Sequence, residues 1–235
     1  MHRQEMQKRP TRGFTLLELL IVIAVIVILA SIGYPVYIGV LERAKVTKDM
    51  NNLRQIGIAT QLDMNDNDGA LFSPATSWMS PQLNSKYVSS WGIFQSPFDT
   101  RSPSEAGTLA PVSPISYGVN AKIYPNNTAM SADKISKSTV FILFAPAQAA
   151  GATVTFSGLA TTGAPGVTVL GNSNTVTSNP GGVATGGTHS TRTKVNALFA
   201  DLHCENMSWT TFTNTTPSAA DPSADLRWTP YLPYP

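Results

Sequence analysis

From Phe14 to Val40 the chain is an apolar run broken by a single charged side chain, Glu18. As a helix, Leu19–Val40 would span about 33 Å at ~1.5 Å per residue, matching a hydrocarbon core of ~30 Å. Gly33 and Pro35 lie inside this run. Proline removes a backbone donor and glycine is weakly helical, so a kink or a meltable segment is expected there. Beyond Val40 polar residues return but the helical period continues. Val36, Val40 and Ala44 recur at four, and Val46, Met50, Leu53 and Ile56 at four, three and three. This predicts an amphipathic stripe, with Glu42–Lys45 and Lys45–Asp49 placed to pair on the solvated side. The helix is expected to end near Gln61–Asp63. The cluster Asn65-Asp66-Asn67-Asp68-Gly69 that follows is a strong stop and turn signal.

The residues before the run are basic: Arg3, Lys8, Arg9 and Arg12. That bias keeps the leader cytoplasmic and places the rest of the chain across the membrane. An ordinary secretory signal is cut after its apolar stretch. Here Arg12-Gly13-Phe14-Thr15-Leu16-Leu17-Glu18 stands ahead of it, and the segment resembles the prepilin signal of type IV pilins and type II secretion pseudopilins. The resemblance covers about the first 40 residues closely. It implies cleavage between Gly13 and Phe14 by a prepilin peptidase, methylation of the new N-terminus, and retention of the apolar helix. Glu18 becomes the fifth mature residue and Pro35 the twenty-second, where these proteins commonly carry proline. An acidic group in a membrane helix costs roughly 2.5–3.5 kcal/mol at the centre. The resemblance implies that Glu18 pairs with the α-amino group of Phe14, in its own chain or a neighbour, and sets the register between subunits.

Composition agrees with a discarded leader. The chain carries 16 basic and 14 acidic residues, net +2. The leader accounts for four of the bases and one acid, Glu5, so the remainder is close to neutral and slightly acidic. No nucleic-acid partner is expected on this charge. The single cysteine, Cys204, excludes an intrachain disulfide and reads as a small buried hydrophobe.

Residues 63–235 are rich in Ser, Thr, Gly, Pro and Asn, and predict short strands joined by turns and long loops. Lys137–Ala145 is the clearest strand; Lys194–Asp201 is the second, continuing through His203 to Trp209. The low-charge segment Gly151–Gly187 reads as a surface excursion with one weak hairpin. Pro217–Pro235 reads as an extended strap anchored by Trp228 and Tyr231. The fragments Phe94-Gln-Ser-Pro-Phe-Asp-Thr100 and Ile115-Ser-Tyr-Gly-Val-Asn120 resemble a pattern F-x-C-P-x-D … S-Y-G-x-N of pilin-like proteins, with Ser96 at the cysteine position. His189 with Val195–His203 resembles their H … V-N-x-L-F-x-D-G-H signature. Leu202 replaces the glycine, which puts a tight turn in question.

Few residues suggest chemistry. Asp63-x-Asn65-x-Asn67 begins like a calcium loop, but Asp68 replaces the glycine at the sixth position and Pro74 the glutamate at the twelfth, so an EF-hand is rejected. Some secretion pseudopilins bind calcium near their C-terminal loops, and no residue here is matched to that site. On one strand, Asp201, His203 and Glu205 would share a face, and with His189 nearby they are weak metal-ligand candidates. The plainer reading is polar residues satisfying loop backbone. No Gly-x-Ser-x-Gly elbow is present, and no enzyme is expected.

The expected fold is therefore α+β and pilin-like. It comprises a leader at 1–13, a long helix at 14–62 (14–40 for the membrane and assembly, 41–62 amphipathic) and a β-rich head at 63–235 on a small antiparallel sheet. The resemblance implies a structural subunit of a type II secretion-like pseudopilus, with the head in the periplasm of a bacterial inner membrane. Its implied partners are further copies or other pseudopilins, the prepilin peptidase, and an assembly platform with its ATPase. No cofactor is required. The alternatives are a type IV pilus pilin, many of which carry a C-terminal disulfide, and a membrane-anchored metal-binding protein.

Overall fold

A computed structural model describes residues 14–75, 79, 82–83, 86–99, 115–149, 155–156, 168–169, 177–178, 187–191, 193–214 and 216–233. The leader, including Gly13, lies outside the described residues, as does most of 151–187. The chain divides into two compact units, Met1–Leu41 and Glu42–Pro235.

Helix α1 runs from Leu16 to Asp66, with Pro35 inside it. It ends a few residues beyond the predicted stop because the polar cluster builds the cap itself. Asp68 takes the left-handed conformation at φ +54°, and the N–H of the next residue, Gly69, reaches the Met64 carbonyl at 2.8 Å, the bond that a left-handed residue at the helix end sets up. Asn67 donates to both the carbonyl and the carboxylate of Asp63. The calcium-like triplet thus closes a helix.

In the second unit, four antiparallel strands form the sheet in the order β1-β2-β6-β7: β1 (Ile115–Asn120), β2 (Ile142–Ala149), β6 (Lys194–Phe199) and β7 (Cys204–Ser208). A short β3 (Thr155–Phe156) adds to β1 in parallel, and β4 (Thr168–Val169) pairs with β5 (Thr177–Ser178) as a separate hairpin. Two predictions shift. The strand expected at 137–145 begins only at Ile142, because the Lys137 carbonyl accepts the N–H groups of Val140 and Phe141 and holds 137–141 in a turn. The strand expected to continue from 194 to 209 folds back on itself. Leu198 pairs with Cys204, and the turn between them holds Leu202 at φ +68°.

Each face of the sheet is covered. Leu53, Ile56 and Ala59 of α1 pack with Tyr117, Val119, Phe144 and Leu198 on one side. Gly57 lets Leu198 approach, since a Cβ there would meet its Cδ1 at 3.2 Å. On the other side Ile142, Val195, Ala197 and Phe199 pack with Trp209 and Phe212 of a short helix α2 (Trp209–Thr213) and with Trp228. Ser208 caps α2 by accepting the Thr211 N–H. The tail is not the extended strap expected: Ala224–Arg227 is a 3-10 turn. Trp228 does anchor it, buried and donating its indole N–H to the Phe212 carbonyl.

Candidate functional site

Two regions carry the residues singled out in the sequence. In the first unit every residue from Phe14 to Leu41 is exposed. Such a surface is not tolerable in water, and its length and composition suffice to cross a membrane. Its start is a capping box. Glu18 Oε2 accepts from the backbone N–H of Thr15 at 2.9 Å and its hydroxyl at 2.8 Å, while Thr15 Oγ1 accepts the Glu18 N–H. The Thr-x-x-Glu spacing carries this signal, which the sequence reading passed over. The helix continues through Gly33 and Pro35, and a Cβ at Gly33 would meet open space.

In the second unit the centre is Asp49, buried on the sheet side of α1 rather than paired with Lys45 on the solvated side. The hydroxyls of Ser96 and Tyr117 donate to Oδ1, and the Asn196 amide donates to Oδ2 at 2.7 Å. Burial pushes the Asp49 carboxyl up, and the three donors partly restrain it. Burial beside this carboxylate also drives the Tyr117 hydroxyl well above its ordinary value. The network continues outward. Asn206 donates to Asn196 Oδ1 and to His189 Nε2, each at 2.6 Å, and His189 Nδ1 meets Thr188 Oγ1 at 2.9 Å. His189 stacks on Phe98 and is held neutral by burial. The next residue, Ser190, donates its N–H to Glu42 Oε1 at 2.5 Å.

The head fragments acquire a physical meaning here. Ser96, Tyr117 and the neighbouring pair His189 and Asn196 come from three separate stretches of the sequence, and all close on the Asp49 network. Asp99 accepts from Ser116, and Asn120 donates to the carbonyls of Ile142 and Trp228. The signature is thus a set of hydrogen bonds joining helix, sheet and tail. Asp49 itself had a sequence signal: with Leu53, Ile56, Thr60 and Asp63 it recurs at four, three, four and three.

Residues 8–34 match the family model of the prokaryotic N-terminal methylation motif. The chain fits a type IV pilin-like protein. The apolar helix and the small antiparallel sheet packed on its second half agree with that reading. The motif implies processing by a prepilin peptidase and assembly into pilin-type polymers, and with the apolar helix it marks a membrane-anchored protein. Comparisons with curated proteins and with solved structures return no match.

In this pilin-like head the metal-ligand candidates do not converge. Asp201 and His203 bond each other within the hairpin turn, where the His203 ring stacks on Phe199. His189 is engaged by Asn206, and Glu205 lies on β7 with its side chain exposed. The shared face expected of Asp201, His203 and Glu205 is lost because Asp201 sits in a turn rather than a strand. Among the described residues no three His, Cys, Asp or Glu groups are placed to hold a metal ion. Cys204 is half-buried, and burial pushes its thiol up to about 11, which leaves it protonated and inert.

Proposed function

We propose that this chain is a structural subunit of a type II secretion-like pseudopilus. In this reading it is cut after Gly13, methylated on Phe14, and drawn from the inner membrane into a helical filament with its head in the periplasm. The observation that carries the reading is the methylation motif over residues 8–34, which runs into an apolar helix that nothing in the first unit covers. Glu18 supports it in detail. Both bonds from Thr15 fall on Oε2, which leaves Oε1 for the α-amino group that cleavage creates. Pairing with a cation offsets the cost of an acidic group in lipid. Further copies or other pseudopilins, membrane lipid, and an assembly platform with its ATPase are the partners. The subunit supplies packing surface and register rather than catalysis. The single cysteine favours a pseudopilus over the disulfide-bearing type IV pilins.

The test is intact-mass and N-terminal analysis of the membrane-extracted protein made with a prepilin peptidase, beside Gly13→Ala and Glu18→Ala, with filaments imaged by electron microscopy. The expected product starts at methylated Phe14, Gly13→Ala stays uncut, and Glu18→Ala is cut but forms no filaments. A wild-type chain still carrying Met1, or cut beyond Val40, overturns the reading. Long extracellular fibres would make it a type IV pilin instead.

A further inference from the structure

The outer side of the sheet holds a cleft of about 560 Å³ between the β6–β7 hairpin, α2 and the tail, far in sequence from the processing segment. Its base is built. Arg227 is buried, donates to Asp221 Oδ2 and to the Asn214 carbonyl at 2.5 Å each, and so fixes the tail against α2. Thr210 and Thr211 hold their hydroxyls on Ser208 Oγ at 3.0 and 2.7 Å. The rim is open for binding. Among the described residues, neither the Glu205 carboxylate nor the Thr139 hydroxyl has a hydrogen-bond partner. Val140 and Met207 supply an apolar wall.

From this lining we infer that the cleft binds a neutral saccharide of one or two rings. The charges decide against anionic ligands. Asp221 already neutralises Arg227 and Glu205 is unpaired, so the cleft is net acidic and repels phosphate, carboxylate and nucleic acid. Hydroxyl, amide and carboxylate groups in one cleft accept from and donate to the hydroxyls of a sugar, while Val140 and Met207 cover its C–H face. A cationic side chain would satisfy Glu205 but leave the hydroxyl rim and most of the volume unused. The site is independent of how the chain assembles, and a filament subunit carrying it would display it in many copies.

The experiment uses the full chain in a polyoxyethylene detergent, since sugar-headed detergents would occupy the cleft. Binding is read on an array of neutral mono- and oligosaccharides, with heparin and a lysine-rich peptide as charged probes. Neutral saccharides are expected to bind. Glu205→Ala should weaken binding about tenfold, the size of one hydrogen bond to a charged group, and Thr139→Arg should block the rim. Both side chains are exposed, so the thermal midpoints should not move. Binding of only heparin or the peptide, no binding to any neutral saccharide, or binding indifferent to both variants overturns the proposal.

Discussion

Asp49 is held in the protein interior by three neutral donors, and that arrangement sets its response to mutation and to pH. Asp49→Ala leaves the Ser96 and Tyr117 hydroxyls and the Asn196 amide without their acceptor. The expected loss is about 3 kcal/mol, measured by urea unfolding. The pH dependence follows from two opposed shifts. Burial raises the Asp49 carboxyl above its ordinary 3.8, so the folded chain keeps that proton longer than the unfolded chain and stability falls as pH rises above about 4. Burial lowers His189 below its ordinary 6.5, so the unfolded chain takes up that proton first and stability is lost as pH falls below 6.5. Between about 4 and 6.5 the two oppose each other. Asp49→Asn should therefore make stability rise more steeply with pH across this window, and His189→Gln should make it fall. Unfolding midpoints at a series of pH values read both slopes.

At the scale of elements, the β6–β7 hairpin shows how a departure from a sequence pattern is absorbed. Leu202 adopts φ +68° where the related signature carries glycine. The turn is retained and the leucine bears the strain, roughly 1–2 kcal/mol for a residue with a Cβ. Leu202→Gly is expected to stabilise the head by about 1 kcal/mol once the backbone entropy of glycine is counted, seen as a higher thermal midpoint. A lower midpoint would mean that the contacts of the half-buried Leu202 side chain outweigh the strain. The adjacent loop is equally constrained. A Cβ on Gly187 would fall 2.2 Å from the Lys194 carbonyl oxygen, which is why a glycine stands two residues before His189. The turn at 200–203 was signalled only by the glycine position of the related signature, which Leu202 occupies, and the strand starts were not legible because a short apolar run does not show where pairing begins.

At the scale of the whole molecule, the packing of α1 on the sheet falls within Glu42–Pro235, while the apolar surface from Phe14 to Leu41 has no cover in its own unit. A chain beginning at Glu42 is therefore expected to be soluble, monomeric by gel filtration and cooperative on heating, whereas the full chain requires detergent. Aggregation of the truncated chain would show that the head depends on residues before Glu42. The division also separates what the sequence determined alone from what folding decided. The membrane helix, the processing motif and Glu18 are local: a run of apolar residues and a fixed spacing carry them whatever the head does. The amphipathic stripe is local too, and it correctly placed Leu53 and Ile56 in the core. The role of Asp49 is not local. Its side chain is polar by type and falls on the buried face by period, and only the convergence of Ser96, Tyr117 and Asn196 makes that burial tolerable. Likewise Asp201 and His203 are candidate ligands on a continuous strand, but the reversal at Leu202 pairs them with each other. Spacing along the chain specifies periodic elements, whereas partners brought from distant segments are specified by the tertiary fold alone.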